Sequence, residues 1–310
     1  MKRAAFLALA CLSACGAPPP SVDDAGGSDA GAPPFDAGAP DAGASDAGTT
    51  DAGVDAGTIA PRCTVTSDAV HCPSSSLAVP IGAGFTRNVN FSLPGGIAPD
   101  GGWPVALLFQ GSFSPSAQFF DAARDASFGL YDEALTTSLL LDDGFAVLAP
   151  EAHAAGNGYW DTNVLPWAIS WTGAPDDVFV TAIFDAIDAG QFGPLSTTRW
   201  YAGGISSGGF MSSRMAVSYP GRFRALAIAS GGYASCGPTC LLPATMPAQH
   251  PPTLFLHGAN DLLAPVANML AYRDALADAG VPVQTIIDPS LGHQWIPAAP
   301  QAIRAWFSTH

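Results

Sequence analysis

From residue 61 onward, short apolar runs alternate with longer stretches in which apolar residues recur every three or four positions. The first pattern is typical of buried strands and the second of helices packed on a sheet. The run Trp103–Phe109 ends at Gln110 and Gly111 and predicts a central buried strand. Similar runs predict strands at 145–149, 200–202, 225–229, 253–257 and 283–287. The helical pattern predicts helices at 131–141, 177–187, 207–219, 265–279 and 299–307.

A different pattern precedes the first buried strand. Between residues 85 and 93, Phe85, Arg87, Val89 and Phe91 alternate with polar partners, which predicts an edge or early antiparallel strand. Strands that alternate with helices favour an α/β fold with a mostly parallel sheet and helices on both faces. Residues 61–310 are few enough for one domain.

The N-terminus has the pattern of an export signal. Lys2 and Arg3 precede an apolar run at 4–12, and Ser13 and Ala14 lead into Cys15. The run is shorter than the roughly 20 residues that span a bilayer. The ending resembles a bacterial lipobox, which predicts a signal peptide at 1–14 and lipidation of Cys15; the alternative is an ordinary signal peptide with a chance cysteine. With glycine next in the chain, outer-membrane or cell-surface placement is expected.

Residues 15–60 favour disorder. After Cys15 they contain seven Asp-Ala-Gly triplets, a proline cluster, no Lys or Arg, and one aromatic residue. Such a composition cannot bury enough apolar surface to offset the entropy of ordering, so it predicts a flexible acidic linker. A calcium-binding repeat is the alternative, but the spacing is irregular.

The net charge of -15 disfavours nucleic acid and polyanionic substrates. Lys2 is the only lysine, and nucleic-acid affinity depends on clustered Lys and Arg. No nucleic acid or polybasic membrane patch is therefore expected, and the membrane would be reached through the Cys15 lipid only. The sequence indicates no required protein partner.

Of the six cysteines, four remain once the predicted signal peptide, which contains Cys11, is removed and Cys15 is lipidated. For an exported protein, disulfides are the default, and the pairs Cys63 to Cys72 and Cys236 to Cys240 are the most economical of three connectivities. A zinc site is the alternative, supported only by the histidine before Cys72. No metal site is predicted.

A nucleophile motif follows the predicted strand 200–202. Gly204-Ile205-Ser206-Ser207-Gly208 matches G-x-S-x-G and opens the predicted helix 207–219. A strand, a sharp turn and a helix make a nucleophile elbow, in which Gly204 and Gly208 let the two arms pass closely. Ser206 is then the predicted nucleophile; a glycine-rich loop before a helix is the alternative.

A serine nucleophile needs a base and a carboxylate further along the chain. Asp261 follows the buried strand 253–257 and His293 lies in the loop after the last strand, so Asp261 is the predicted orienting carboxylate and His293 the predicted base. The other histidines are His71, His153, His250, His257 and His310. Asp288 is the second choice for the carboxylate, and Asp274 and Asp278 fall on the following helix.

Acyl transfer also needs donors for the developing oxyanion. The backbone N–H of Ser207 is one predicted donor, and that of Ser112 or Gly111 is the other. Many α/β-hydrolases carry His-Gly here, so Gln110 departs from the pattern, although a backbone donor is unaffected.

Aromatic residues are candidates for an apolar acyl pocket or, equally, for core packing. Three of them fall in a long loop from about 151 to 175, and loops of this length are often lids or binding segments. The pocket candidates are Phe113, Trp160, Trp167, Trp171, Tyr233 and Trp295.

The motif residues together resemble secreted polyhydroxyalkanoate depolymerases and related polyester or feruloyl-type esterases of the α/β-hydrolase fold. The resemblance is carried by 204–209, 214–220, the Cys236 to Cys240 loop and 252–258, and it extends over roughly 100–307. The segment 204–209 is most similar to that of the extracellular depolymerases acting on medium-chain-length polyhydroxyalkanoates. Tethering and the absence of a separate polymer-binding domain depart from a freely secreted depolymerase.

The sequence therefore predicts a surface-tethered serine esterase that acts on a hydrophobic polyester or its oligomers through an acyl-enzyme and needs no cofactor. A carboxylesterase for small alkyl or feruloyl-type esters is the alternative substrate class. Two other classes remain: a binding lipoprotein on a hydrolase scaffold, and a serine peptidase of the same fold.

Overall fold

The computed structural model describes residues 61–152, 158–236, 240 and 242–310. The predicted signal peptide, Cys15 and the linker lie outside the described residues, as does His153. The strands are β1 Thr64–Val65, β2 Ala69–His71, β3 Ser75–Pro80, β4 Thr86–Ser92, β5 Trp103–Phe109, β6 Asp121–Ala123, β7 Ala146–Pro150, β8 Leu195–Ile205, β9 Ala225–Ala229, β10 Thr253–Gly258 and β11 Val283–Asp288. The α-helices are α1 Leu130–Asp142, α2 Pro175–Asp188, α3 Ser207–Ser218, α4 Val266–Asp278 and α5 Ala299–Thr309.

Eight strands form one sheet in the order β11-β10-β9-β8-β5-β7-β4-β3. The six strands from β11 to β7 are parallel, while β4 pairs antiparallel with β7 and β3. This confirms the α/β class, and the antiparallel prediction for 85–93 holds, although β3 and not β4 forms the edge. The run Trp103–Phe109 is a central strand with β8 and β7 on its two sides.

Helices cover both faces of the sheet because each buried strand is apolar on both sides. Alternate residues of β5, such as Ala106 and Leu108, pack in a core cluster with α1 and α5. The intervening residues, such as Val105 and Leu107, pack with α2 and α3. A third cluster joins α3, α4 and strands β9 and β10. The predicted single domain with helices on both faces is observed.

A second, three-stranded antiparallel sheet is formed by β1, β2 and β6. Neither this sheet nor β3 was predicted, because the strands are short and mostly exposed. Strand β8 is also longer than the predicted 200–202. The disulfides Cys63–Cys72 and Cys236–Cys240 are both formed, as predicted, and they fit an oxidising compartment.

Two observations concern features that the described residues lack. None of the helices in the described ranges is long and apolar enough to cross a membrane. Within the same ranges, no group of three or more His, Cys, Asp or Glu side chains could hold a metal ion.

Glu133 on α1 is a buried carboxyl group that the sheet packing has removed from water. Burial raises its pKa from 4.5 to about 8. Between these values the folded state keeps a proton that the unfolded chain releases, so stability falls as the pH rises through this range.

We expect Glu133→Gln to gain stability relative to the parent as the pH rises from 5 to 8. The glutamine stays neutral, whereas the parent loses up to about 1.4 kcal/mol per pH unit. Urea unfolding at pH 5, 6, 7 and 8 measures the difference in free energy of unfolding. Asp278→Asn is the control, because it makes the same chemical change at an exposed position. Its free energy of unfolding should differ from the parent's by the same amount at every pH. A pH-independent difference for Glu133→Gln would contradict the raised pKa of Glu133.

Candidate active site

The turn between β8 and α3 holds Ser206 in a strained backbone conformation. Ser206 has φ 57° and ψ -123°, a region that non-glycine residues rarely adopt. Its N–H donates to the carbonyl of Ala229, 3.0 Å away, and its own carbonyl accepts from the N–H of Phe210. The turn is therefore fixed from both sides, and Ser206 stands at the carboxyl end of the parallel strands, where open α/β sheets bind their ligands.

Glycines around Ser206 are required by space. A Cβ on Gly208 would lie 1.9 Å from the carbonyl oxygen of Phe109, and one on Gly204 would lie 2.4 Å from the same atom. A Cβ on Gly209 would lie 2.7 Å from the oxygen of Ala229. The elbow geometry predicted for Gly204 and Gly208 is thus present, and the following glycine has the same role toward β9.

Asp261 and His293 form a close pair at the same edge of the sheet. The imidazole Nδ1 of His293 lies 2.8 Å from Oδ2 of Asp261 and 3.0 Å from Oδ1. The Asp261 side chain is fully buried and that of His293 is 13% exposed. Because a carboxylate accepts, His293 donates through Nδ1, which leaves Nε2 able to take a proton.

The carboxylate of Asp261 is ionised despite its burial. Burial opposes the charge, but hydrogen bonds from His257 and His293 and from the N–H of Ala264 outweigh it and hold the pKa of Asp261 well below its ordinary value. The N–H of Leu263 also donates to Oδ1 at 2.9 Å. A buried carboxylate with this many donors is a fixed negative charge beside the imidazole.

His257 contacts the Asp261 carboxylate, although the sequence did not predict a role for it at the site. It is fully buried, and its Nε2 lies 2.8 Å from the carbonyl of Ala264 and 3.3 Å from Oδ2 of Asp261. Both neighbours are acceptors, so Nε2 carries the proton. His257 therefore supports the far side of the Asp261 carboxylate, a role that its place at the end of a buried strand did not indicate.

The loops that carry Asp261 and His293 are bound to each other. The N–H of Asn260 donates to the carbonyl of Leu291 at 2.9 Å. A Cβ on Gly258 would lie 2.2 Å from the carbonyl oxygen of Gly292. Close backbone contact, and not only the side-chain bond, thus holds the two residues together.

The other histidines and carboxylates lie elsewhere. His71 is exposed and pairs with Asp121 at 2.9 Å, and burial lowers the pKa of His250 to about 4 beside Tyr272. His310 stacks on Trp306. Three further carboxylates have local partners or lie in solvent. Asp288 accepts hydrogen bonds from Ser290 and Leu291 in its own turn. Asp274 pairs with Arg273, and Asp278 is exposed at the end of α4.

Ser206 and His293 line two adjoining cavities. The larger, about 490 Å³, is mostly apolar and includes Phe113, Phe128 and Leu263. The smaller, about 260 Å³, includes Tyr159 and more polar groups. Within the described part of the chain, the side chain that hydrogen-bonds to His293 is that of Asp261. Ser206 and His293 therefore line the same cavities without a hydrogen bond between them. Such bonds often form only when substrate binds.

The predicted oxyanion donors lie beside Ser206. A Cβ on Gly111 would be 3.7 Å from Cβ of Ser206, and Ser112 lines both cavities. Ser207 is the first residue of α3, so its N–H has no acceptor within the helix.

Most of the predicted pocket aromatics belong to the core. Of the six, only Phe113 lines a cavity beside Ser206. Four of the others are buried in the core clusters, namely Trp160, Trp171, Tyr233 and Trp295. Trp167 is partly buried and packs against the cluster that contains Trp160 and Trp171. The pocket prediction was wrong for these residues because each large ring packs among apolar side chains, where the indole N–H groups of Trp160, Trp171 and Trp295 also donate hydrogen bonds.

Those buried indoles fix the loops around the site. The Nε1 of Trp160 donates to the carbonyl of Gln110 at 3.1 Å, and its backbone N–H donates to Oγ of Ser207 at 2.9 Å. Trp295 donates its N–H to the carbonyl of Phe128 and its Nε1 to Thr136. They position the site without entering it.

Gln110, which replaces the more usual histidine, has a structural role. Its amide contacts the carboxylate of Glu151 at 3.5 Å and accepts from the N–H of Ala152 at 3.3 Å. The same carboxylate accepts from the N–H and hydroxyl of Ser116, at 3.1 and 2.6 Å. Glu151 thus holds both ends of the loop that contains Gly111 and Ser112.

A buried ion pair and a buried arginine secure the long loop before α2. Arg87 lies 2.6 Å from Asp176, whose other oxygen accepts from the N–H of Asp161. Arg214 donates to the hydroxyl and carbonyl of Thr162 and to the carbonyl of Ala168. The loop was predicted as a lid or binding segment, and its residues 159, 163 and 164 do line the smaller cavity.

A groove of about 780 Å³ lies at the amino ends of the parallel strands, between the start of β8 and the start of β9. It includes Thr198, Arg222 and Arg224. Its larger volume does not make it the site, because Ser206, Asp261 and His293 are all at the other edge.

The parallel sheet, the helices on both faces and the serine at a strand-to-helix turn define an α/β-hydrolase. No protein-family model matches the chain. The chain is 43% identical to the poly(3-hydroxyoctanoate) depolymerase of Pseudomonas fluorescens over 251 residues, which cover 81% of this chain and 89% of that protein. It therefore belongs to the polyhydroxyalkanoate depolymerase family of carboxylic ester hydrolases.

Solved structures agree on the fold. A carboxylesterase from Bacillus cereus superposes with a TM-score of 0.51 at 15% identity, over 72% of this chain and 94% of that one. A fluorophosphonate-binding serine hydrolase from Staphylococcus aureus gives a TM-score of 0.50 at 16% identity, over 76% and 98%. At these identities the similarity concerns the fold alone.

We expect Arg214→Lys to lower the free energy of unfolding by about 2 kcal/mol, because an ammonium group cannot span three acceptors held by a planar guanidinium. Limited proteolysis should also cut 158–173 faster. Arg224→Lys is the matched control: that arginine is exposed and makes one long bond to the carbonyl of Thr198. Equal stability of the two variants would contradict this role of Arg214.

Proposed function

We propose that this protein is a serine esterase that hydrolyses a hydrophobic polyester, or its oligomers, through an acyl-enzyme. The observation that carries the proposal is the mostly apolar cavity of about 490 Å³ that both Ser206 and His293 line. The depolymerase relative supports the polyester as substrate.

In the first step, the Oγ of Ser206 attacks the ester carbonyl carbon while its proton passes to Nε2 of His293. The carbonyl oxygen becomes an oxyanion, which accepts hydrogen bonds from the N–H of Ser207 and from that of Gly111 or Ser112. The fixed charge of Asp261 stabilises the imidazolium that forms.

Collapse of the tetrahedral intermediate breaks the bond between the acyl carbon and the alcohol oxygen. The imidazolium returns its proton to the leaving alcohol, and the acyl group stays on Ser206. Water then attacks the acyl carbon while His293 takes a proton from it. The bond between the acyl carbon and Oγ breaks, His293 returns the proton to Oγ of Ser206, and the carboxylic acid leaves.

The two cavities suit the two sides of an ester. The larger cavity is lined by Phe128, Leu130 and Ile205 and suits an alkyl side chain. The smaller one contains the more polar Tyr159 and Asn163 and suits the shorter, oxygen-rich part of a hydroxyalkanoate chain.

We expect Ser206→Ala and Asp261→Asn each to lower ester turnover by roughly 10³-fold or more, and the melting temperature of Ser206→Ala to stay close to the parent's. The parent should clear an emulsion of poly(3-hydroxyoctanoate) and prefer octanoyl among p-nitrophenyl esters from acetyl to dodecanoyl. Fluorophosphonate should label the parent and not Ser206→Ala.

Each alternative has its own result in these assays. Ester turnover without clearing would indicate a carboxylesterase for small esters. Peptide turnover that exceeds ester turnover would indicate a peptidase, and the absence of both labelling and turnover in the folded parent would indicate a binding protein. Full activity of Ser206→Ala would contradict the mechanism.

We also propose that the domain is exported and tethered through a lipid on Cys15. The support is the sequence before and after this cysteine, together with the two disulfides. The acidic linker would then hold the catalytic domain away from the membrane.

We expect Cys15→Ser to move the protein from the membrane fraction to the soluble exported fraction, because the acylated residue is lost. Immunoblots of fractionated cells and mass analysis of the N-terminal peptide measure this. Cys63→Ser is unsuitable as a control because it breaks a disulfide, so Ser13→Ala, which keeps a small residue before the cysteine, serves instead. Unchanged fractionation of Cys15→Ser would contradict lipidation.

A further inference from the structure

Four large apolar side chains stand in solvent around the larger cavity. Phe113 is 79% exposed, Phe128 59%, Leu262 90% and Leu263 75%. Phe113, Phe128 and Leu263 line the cavity, and Leu262 precedes Leu263 in the chain. We refer to these four residues as the apolar rim. A cluster of this kind beside a cleft marks an interaction surface more often than isolated exposed residues do.

Backbone strain holds two of the rim residues outward. Phe113 has φ 63° and Phe128 has φ 62°, a conformation that is strained for bulky residues. The N–H of Phe113 donates to the carbonyl of Gly158 at 2.7 Å, and the carbonyl of Phe128 accepts from Trp295 at 2.9 Å. The surroundings therefore impose a conformation that presents both rings to solvent.

The rim residues lie on the segments that carry the reacting groups. Phe113 follows Ser112, and Leu262 follows Asp261. The carbonyl of Phe128 accepts a hydrogen bond from the N–H of Trp295, which is two residues beyond His293. Any surface that touches the rim is consequently brought against the opening in which Ser206 lies.

The chemistry of the rim favours an uncharged aliphatic surface. The rim contains no polar side chain, and the chain carries a net charge of -15, which opposes contact with anionic lipid headgroups. A small soluble ester would fill the cavity and leave Leu262 in water. A hydrophobic polyester particle has no charge and is wide enough to cover all four side chains while one chain enters the cavity.

We propose that the apolar rim is the surface by which this enzyme adsorbs to a hydrophobic polyester particle, so that a separate polymer-binding domain is not needed. This inference rests on the proposed function for its substrate class. It assigns adsorption to residues that take no part in bond cleavage.

Adsorption is best measured without hydrolysis. The parent for this test is the full chain with Cys15→Ser and Ser206→Ala, which has neither the lipid nor the nucleophile. The rim variant adds Phe113→Asn, Phe128→Asn and Leu262→Ser, since asparagine tolerates positive φ. The control variant adds Phe85→Asn and Ile97→Ser, which are 68% and 94% exposed and line neither cavity.

Depletion from suspensions of poly(3-hydroxyoctanoate) particles gives the adsorption constant, and thermal melts check folding. We expect the rim variant to bind at least about tenfold more weakly than its parent, from the lost apolar contact, and the control variant within about twofold. A rim variant that is folded and adsorbs like its parent would overturn the proposal, as would a parent that does not adsorb.

Other occupants of the rim give distinct results. A parent that sediments as a dimer, with a monomeric rim variant, would assign the rim to a second copy of this chain and overturn the proposal. Rim-dependent binding to phosphatidylcholine vesicles with unchanged polymer adsorption would assign it to a membrane and also overturn it. Rim-dependent adsorption would support the proposal even if the enzyme with Ser206 intact failed to clear the polymer, so the two proposals fail separately.

Discussion

The close crossing of three backbone segments at the Ser206 turn is the constraint on which the rest of the site depends. The carbonyl of Phe109 at the end of β5 approaches positions 204 and 208 so closely that neither can carry a side chain. The turn is in this way tied to the neighbouring strand as well as to its own helix. The strain at Ser206 persists because β5, β8, β9 and α3 all hold it, and none of them can relax without disturbing the core.

Around this rigid turn, the loops at the sheet edge are held by buried polar groups. Glu151 anchors the loop after β5, Arg214 anchors the loop before α2, and Asp261 joins the loops after β10 and β11. Polar groups are costly to bury without partners, and each of these three side chains is hydrogen-bonded to the loop that it fixes. Ser206, Asp261 and His293, the predicted catalytic residues, are thus positioned by hydrogen bonds that lie behind the cavity wall.

The sequence predicted the central fold well because periodicity reports burial. The runs 103–109 and 225–229 coincide with β5 and β9, and the five helices lie within a few residues of their predicted bounds. The spacing of the elbow motif, and the order of Asp261 and His293 after it, pointed to the site. The small sheet of β1, β2 and β6 was missed because its strands are short and exposed, and period-two patterns are weak at that length.

The aromatic residues show where sequence reasoning stopped. The sequence around a tryptophan near the site does not show whether its ring lines the cavity or packs behind it. The tertiary packing determines which of the two occurs. Trp160 and Trp295 proved to be supports, while Phe128, an exposed residue before α1, lines the cavity. His257 likewise could be placed on a strand end but not against Asp261 until β10 and the loop after it were in position.

The disulfide Cys63–Cys72 has a mechanical consequence. It closes a covalent ring around β1 and β2, and the N–H of Cys72 is bonded to the carbonyl of Phe120. Tension applied to the chain ahead of Cys63 passes through the sulfur bridge directly to Cys72, so the load bypasses the two short strands. Such tension therefore does not peel β1 from β2, or β2 from β6, one hydrogen bond at a time.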